Sequence, residues 1–254
     1  MTDMIAELKA DVLPALFKGD ASAIGEYGGG TSAVALNDFS NLMEAGSVSA
    51  LADRISGIVA KLSEADPQRI AKPANWLERF TGSAIERQAK YTAARKSLDS
   101  QIADTEAVAQ RVRDTVAALT KMVAGHADEA HKLKAYIQAG REFLDENPDA
   151  GRVLDGDMEF DRPRERFARK LANLATLLSS HEMSVMQMKL TRASAVDMLD
   201  RFNETVSVLV PVWRQHTLSL LTTKHMDQKM VAEATKAHQA LMRSLSQSLE
   251  GIEK

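Results

Sequence analysis

The chain of 254 residues contains no cysteine. Disulfides, thiolate metal ligands, a cysteine nucleophile and thiol redox chemistry are therefore excluded for this chain. Aromatic residues are scarce, at 5%. Aliphatic helix packing tolerates that shortage better than a β-sandwich, whose strands favour aromatic and β-branched side chains. Proline and glycine are also few, at six and thirteen, and most of them lie outside the long periodic stretches. No sign of charge dominates: 32 Lys and Arg face 35 Asp and Glu, interspersed, for a net charge of −3. Nothing in that balance attracts nucleic acid or anionic lipid as a whole. Hydrophobic runs long enough to cross a membrane are missing. The N-terminus, MTDMIAELKADVLPALF, carries acids where a signal peptide would carry bases before an apolar run. The expectation is a cytoplasmic protein without an integral membrane segment.

What the chain has instead is heptad spacing. Leu98, Ile102, Thr105, Ala109, Val112, Val116, Leu119 and Val123 alternate steps of four and three, the period of a helix seam. With a shift near Gly125 the pattern resumes at Ala130, Leu133, Ile137, Gly140 and Leu144. One helix from about Trp76 to Glu146 would span roughly 100 Å at the α-helical rise. Asn147-Pro148 ends it, because a residue before proline avoids the α region. A second seam starts beyond Asp161, read as an N-cap with Pro163 in the first turn. It runs through Phe167, Leu171, Leu174, Leu178, His181, Val185, Met188, Arg192, Ala195, Leu199, Phe202, Val206, Leu209, Trp213, His216 and Leu220. Two such seams joined by a short connection must lie antiparallel.

Shorter elements flank them. Residues 1–18 form an amphipathic helix with Met4, Ile5, Leu8, Val12 and Leu16 on one side. The segment GDASAIGEYGGGTSAVALNDFS is a Gly- and Ser-rich linker. Another helix is expected from Leu42 to Leu62, and a last one from Met226 to Ile252 with Met230, Ala234, Ala237, Leu241, Leu245, Leu249 and Ile252 on its seam. The fold class is all-α: an elongated antiparallel helical hairpin or coiled-coil bundle with additional N-terminal and C-terminal helices. Residues 1–70 form one region of short helices and linker, and residues 75–254 the long helical domain.

One stretch resists this reading. In VSVLVPVWRQHTLSLL a proline interrupts an apolar helical run. An interior proline removes a hydrogen bond and clashes with the preceding turn, at about 3 kcal/mol. Trp213 continues the seam and is expected to be buried, while Pro211 lies off it where a kink can be absorbed. The structural bend is the plainer account; a protein docking point at Pro211, Trp213 and Arg214 is the functional alternative.

Four segments, in order and with consistent spacing, are similar to the toxic anion resistance (TelA) family. They are NWLERFTGSAIERQAKYTAARKSLDSQI (Asn75–Ile102), KLKAYIQAGREFL (Lys132–Leu144), ERFARKLANLATLLSSHEMSVMQMKL (Glu165–Leu190) and LVPVWRQHTLSL (Leu209–Leu220). Where the family tends to carry a Pro-Gln-Ile/Met-Arg-like run, this chain reads HEMSVMQMKL, without proline. The resemblance implies a long helical protein acting beside tellurite or envelope-stress resistance. It implies no catalytic residues.

Direct searches for chemistry return little. GGGTS lacks the lysine and preceding strand of a phosphate-binding loop. In AGHADEAH, His126, Glu129 and His131 lack the paired Glu-x-x-His helices of a di-metal site, so a polar turn near Gly125 is expected. No nucleophile elbow, His-Glu-x-x-His or dinucleotide fingerprint occurs. No catalytic residue, metal or cofactor is expected, and the protein reads as a non-enzyme. Two groups remain. Arg162, Arg164, Arg166 and Arg169, at a helix N-terminus, could hold an oxyanion, although Asp161 and Glu165 interleave. His181, Arg192 and His216 are polar seam positions that set register, with a pH-responsive contact as the sharper alternative. Antiparallel pairing would bring His181 near His126–Glu129, and replacing His181 with Leu is expected to stabilise the hairpin. The leading expectation is a helical scaffold that docks a protein partner in oxyanion or envelope-stress resistance. Its location is cytoplasmic, with peripheral association to a membrane stress complex as a variant. Direct oxyanion binding and a coiled-coil chaperone or secretion accessory, marked by an exposed apolar stripe, are the alternatives. No nucleic acid partner is expected.

Overall fold

The computed structural model describes residues 2–18, 23–29, 47–65, 70, 83–152 and 162–222, and toward the C-terminus residues 229, 232–233, 235–240 and 243–244. Among them every regular element is helical, as the two seams demand. The order is α1 (Thr2–Glu7), a π-helical turn (Leu8–Val12), α2 (Leu13–Lys18), α3 (Ala23–Glu26), α4 (Ser47–Glu64), α5 (Ser83–Glu146), α6 (Pro163–Glu204), a second π-helical turn (Thr205–Leu209) and α7 (Val210–Thr222).

α5 is one uninterrupted helix of 64 residues. The polar turn expected near Gly125 is absent. A glycine inside a helix costs only about 1 kcal/mol, and the seam on both sides outweighs it. His126, next to it, is packed inward at 2% exposure. α5 stops at Glu146, just before Asn147-Pro148, and α6 starts on Pro163. The expected N-cap Asp161 lies outside the described residues. Both seams are realised: of their described positions none is exposed. Four buried threonines are satisfied within their own helical runs. Buried Thr105, Thr115, Thr205 and Thr217 each donate their hydroxyl to the carbonyl four residues back.

The chain divides into two compact units, residues 1–45 with 117–192 and residues 46–116 with 193–254. The division cuts through α5 and α6, so each long helix contributes a part to each unit.

In the first unit α1, α2 and α3 cover the C-terminal part of α5 and the N-terminal part of α6. Leu8, Leu13, Leu16, Ile24 and Tyr27 bury against Leu133, Ile137, Phe143, Phe167, Leu171 and Leu174. The scarce aromatics concentrate here. Phe17 stacks on Phe143 with ring centroids 5.5 Å apart and meets Phe167 edge-on at 5.4 Å. Tyr27 meets both Tyr136 and Phe167 at 5.1 Å. Its buried hydroxyl donates to the Tyr136 carbonyl. Residues 23–29, expected to be linker, are therefore a packed corner. The apolar Ile24 and Tyr27 supply enough burial to fix the chain, and Gly28, at φ +69°, turns it. Gly140 lets the helices close in: an added Cβ would lie 2.6 Å from Leu171 Cδ2 and 3.1 Å from Phe167 Cζ.

In the second unit α4 lays Leu51, Ile55, Ile58 and Leu62 on Leu98, Ala109, Val112, Met198, Phe202, Leu209 and Trp213. Trp213 is fully buried. Of the seam expected after Met226, Ala237 is described and exposed; its neighbours Thr235 and His238 are the buried ones, with a His238 ring nitrogen 3.3 Å from the Leu62 carbonyl. The other positions of that seam lie outside the described residues.

Among the described residues two prolines lie inside helical runs, and they share one solution. Each follows a five-residue π-turn by two positions: Leu8–Val12 before Pro14, Thr205–Leu209 before Pro211. In the first the Leu13 N–H reaches Leu8 O, and in the second the Val210 N–H reaches Thr205 O. The ladder shifts to i→i−5 just where proline would leave a carbonyl without its i+4 donor and crowd it. The extra residue also rotates the face. Leu13, not the expected Val12, is buried beside Leu8 and Leu16, and Val12 is exposed. Around the second turn Thr205, Leu209, Val210, Trp213 and Thr217 form the buried face.

Candidate functional site

The arginine-rich start of α6 is shaped by the end of α5. The last carbonyls of an α-helix have no partners within it. Arg164, half-buried, supplies a donor to one of them, Leu144 O at 2.8 Å, and to two carbonyls of the turn that follows, Asn147 O at 3.0 Å and Ala150 O at 3.3 Å. A cation there also complements the negative end of the helix dipole. Arg162 is exposed and pairs with Glu165 at 3.0 Å. Arg166 is half-buried and its N–H bonds the Arg162 carbonyl. Arg169 is exposed. Lys170 donates to Gly25 O at 2.6 Å. The arginines thus share one end of one helix but not one focus, and one of the two half-buried members, Arg164, is occupied by carbonyls.

Around Pro211 the surface and the core separate. Pro211 is exposed, and Trp213, two residues on, has no exposed surface. The indole stacks on Tyr91 at 5.8 Å and its Nε1–H donates to Ala65 O at 2.8 Å, so it anchors the end of α4. Arg214 is half-buried and ion-paired with Asp99. Of the three expected docking residues, Pro211 alone presents its ring to solvent.

The polar seam yields the most unusual contact. His181 and His126 are buried, at 0% and 2% exposure, with Nδ1···Nδ1 3.0 Å and ring centroids 5.0 Å apart. The antiparallel pairing read from the seams places His181 here. Burial and the neighbouring His126 hold the His181 imidazole below its ordinary pKa, while Glu129 works in the opposite direction. Arg192 reaches Thr120 Oγ1 at 3.4 Å. His216 is half-buried, and its Nδ1 is buried without a hydrogen-bond partner among the described residues.

One feature escaped the sequence reading. Met183, Met186 and Leu190 stand on the outer face of α6 at 61%, 68% and 70% exposure. Steps of three and four put them in a single stripe. Beside it runs a groove of about 380 Å³, with Ala127, Ala130 and His131 of α5 on one wall and Glu182, Val185 and Met186 of α6 on the other. Glu182 is bridged to Lys134 at 2.7 Å. The spacing was visible in HEMSVMQMKL, but that segment interleaves methionines of both faces: Met188 is buried.

Among the described residues no three His, Asp or Glu side chains are grouped to hold a metal. No helix among them is long and apolar enough to cross a membrane.

The model of the family described as toxic anion resistance protein (TelA) matches residues 16–248. The chain is 67% identical over 249 residues to Protein KlaA of Escherichia coli, covering 98% of this chain and 96% of that protein. No solved structure matches it.

Proposed function

Because the chain belongs to the toxic anion resistance (TelA) family, we propose that it serves resistance to oxyanions of the tellurite type as a non-enzymatic helical scaffold that docks another protein. The observation that carries this reading is the Met183–Met186–Leu190 stripe. Three large apolar side chains, each more than half exposed and aligned at helical spacing, match the way a groove takes the apolar face of a helix through i, i+3 and i+7 anchors. Methionine suits such a surface because its flexible thioether adapts to its partner. The scaffold works from the cytoplasm, where the partner brings it to the envelope. Direct capture of the anion by the arginines is less well supported, since Arg164 already spends its guanidinium on three carbonyls.

The test pairs survival on tellurite with calorimetric titration of tellurite into purified protein. Met186→Glu/Leu190→Glu should leave far-UV circular dichroism and melting unchanged and abolish the resistance conferred by the wild-type chain, which itself binds no tellurite. Undiminished resistance in this variant, or tellurite binding lost in Arg166→Ala/Arg169→Ala, would overturn the proposal.

A further inference from the structure

We infer that the buried His126–His181 pair is a proton-operated latch holding α5 against α6 within residues 117–192, closed when both rings are neutral and released by acid. The geometry sets the states. At 3.0 Å between Nδ1 atoms one ring donates its Nδ1–H and the other accepts on its lone pair, so the two rings are held in different tautomers. One further proton can enter only at the donor ring's Nε2, which leaves the contact standing but places a cation in a site with almost no solvent. A second proton turns both Nδ1 atoms into donors facing one another, and the contact cannot survive it.

The surroundings resist the first proton without forbidding it. On α5 the pair faces Glu129, whose Oε1 accepts from Lys132 at 2.8 Å and whose Oε2 is buried with no hydrogen-bond partner among the described residues. Asp128, His131 and Lys134 occupy the neighbouring turns of α5. On α6 the adjacent charge is Glu182, already bridged to Lys134. His181 Nε2 is likewise buried and without a partner among the described residues. The Glu129 carboxylate favours a charged His181, but burial and His126 outweigh it and hold the pKa of this ring down. A ring that takes its proton less readily folded than unfolded makes the unfolded chain the better proton acceptor. The latch therefore contributes fully above the ordinary imidazole range near pH 6.5 and is lost progressively as pH falls below it. Ala127 and Glu182, the chain neighbours of the two rings, both line the groove beside the stripe. Release of the latch reshapes that groove.

This also revises the effect of replacing His181 alone. His181→Leu strands His126 without its partner, a cost of a lost buried hydrogen bond, so the single variant is destabilising and the paired variant is the informative one.

The experiment is urea unfolding of the full chain between pH 5 and pH 8, for wild type, His126→Leu/His181→Leu and His126→Gln/His181→Gln. The glutamine pair retains a neutral hydrogen bond if the leucine pair fails to fold. The unfolding constant of wild type should rise relative to either paired variant below about pH 6.5, by up to tenfold per pH unit for each proton. Comparison with the paired variants cancels the other histidines. Hydrogen exchange of amides in residues 117–192 should quicken at pH 5.5 in wild type alone. Parallel pH profiles in wild type and both paired variants would overturn the latch. So would imidazole NMR signals showing both rings titrating at the ordinary value while exchange stays slow.

Discussion

Replacement of Trp213 separates a structural keystone from a docking residue. The indole is wholly buried, stacks on Tyr91 and donates to Ala65 O. Trp213→Phe keeps a ring for the stack but deletes the N–H and part of the apolar volume. The lost hydrogen bond costs roughly 1 kcal/mol and the lost buried surface roughly another 1 kcal/mol, so about 2 kcal/mol is expected. Trp213→Ala removes the stack as well and opens a cavity beside Leu98 and Ile70, at about 3–5 kcal/mol. Urea unfolding followed by far-UV circular dichroism reads both values: the midpoint should fall in that order with the slope unchanged. A loss under about 1 kcal/mol for Trp213→Ala would refute the reasoning, because no fully buried indole is removed so cheaply.

Two further substitutions probe the first unit. Gly140→Leu forces a side chain into a space where even a Cβ lies 2.6 Å from Leu171 Cδ2. The overpacking, about 1–3 kcal/mol, exceeds the roughly 1 kcal/mol that helix propensity returns, so the melting temperature should fall. Arg164→Ala removes the guanidinium bonds to three carbonyls, of which Asn147 O keeps the Ala150 N–H, and should cost about 1–2 kcal/mol in thermal melts. Arg169→Ala, at an exposed position, should change stability by no more than about 0.5 kcal/mol.

The all-α architecture was legible because burial in a helix pair recurs in steps of four and three, and from Leu98 to Trp213 nearly every such position is apolar. The same arithmetic placed His181 against His126. What escaped depends on quantities a period does not carry. Val12 and Leu13 are both apolar, and only the widened turn decides which faces inward. Arg164 and Arg169 are the same residue type in one basic run; their difference comes from the carbonyls that the end of α5 brings to the first. Tyr27 sits among glycines and serines, a composition that reads as linker, yet one aromatic ring over Phe167 suffices to fix the chain there. Met183 and Met186 share a residue type with buried Met188, so hydropathy alone assigns them no side.

The paired prolines bear on how such a helix changes over time. A π-turn amounts to one residue inserted into an α-helix and retained rather than expelled into a loop. Before both Pro14 and Pro211 the insertion and the ring support each other. The widened ladder removes the donor requirement that proline cannot meet, and proline removes the donor that would restore the narrower ladder. Loss of either feature alone leaves the other costly, so the two are expected to appear and vanish together. A homologous chain with an ordinary residue at the position of Pro211 should also be one residue shorter between the positions of Phe202 and Trp213. It would then keep its tryptophan on the same buried face.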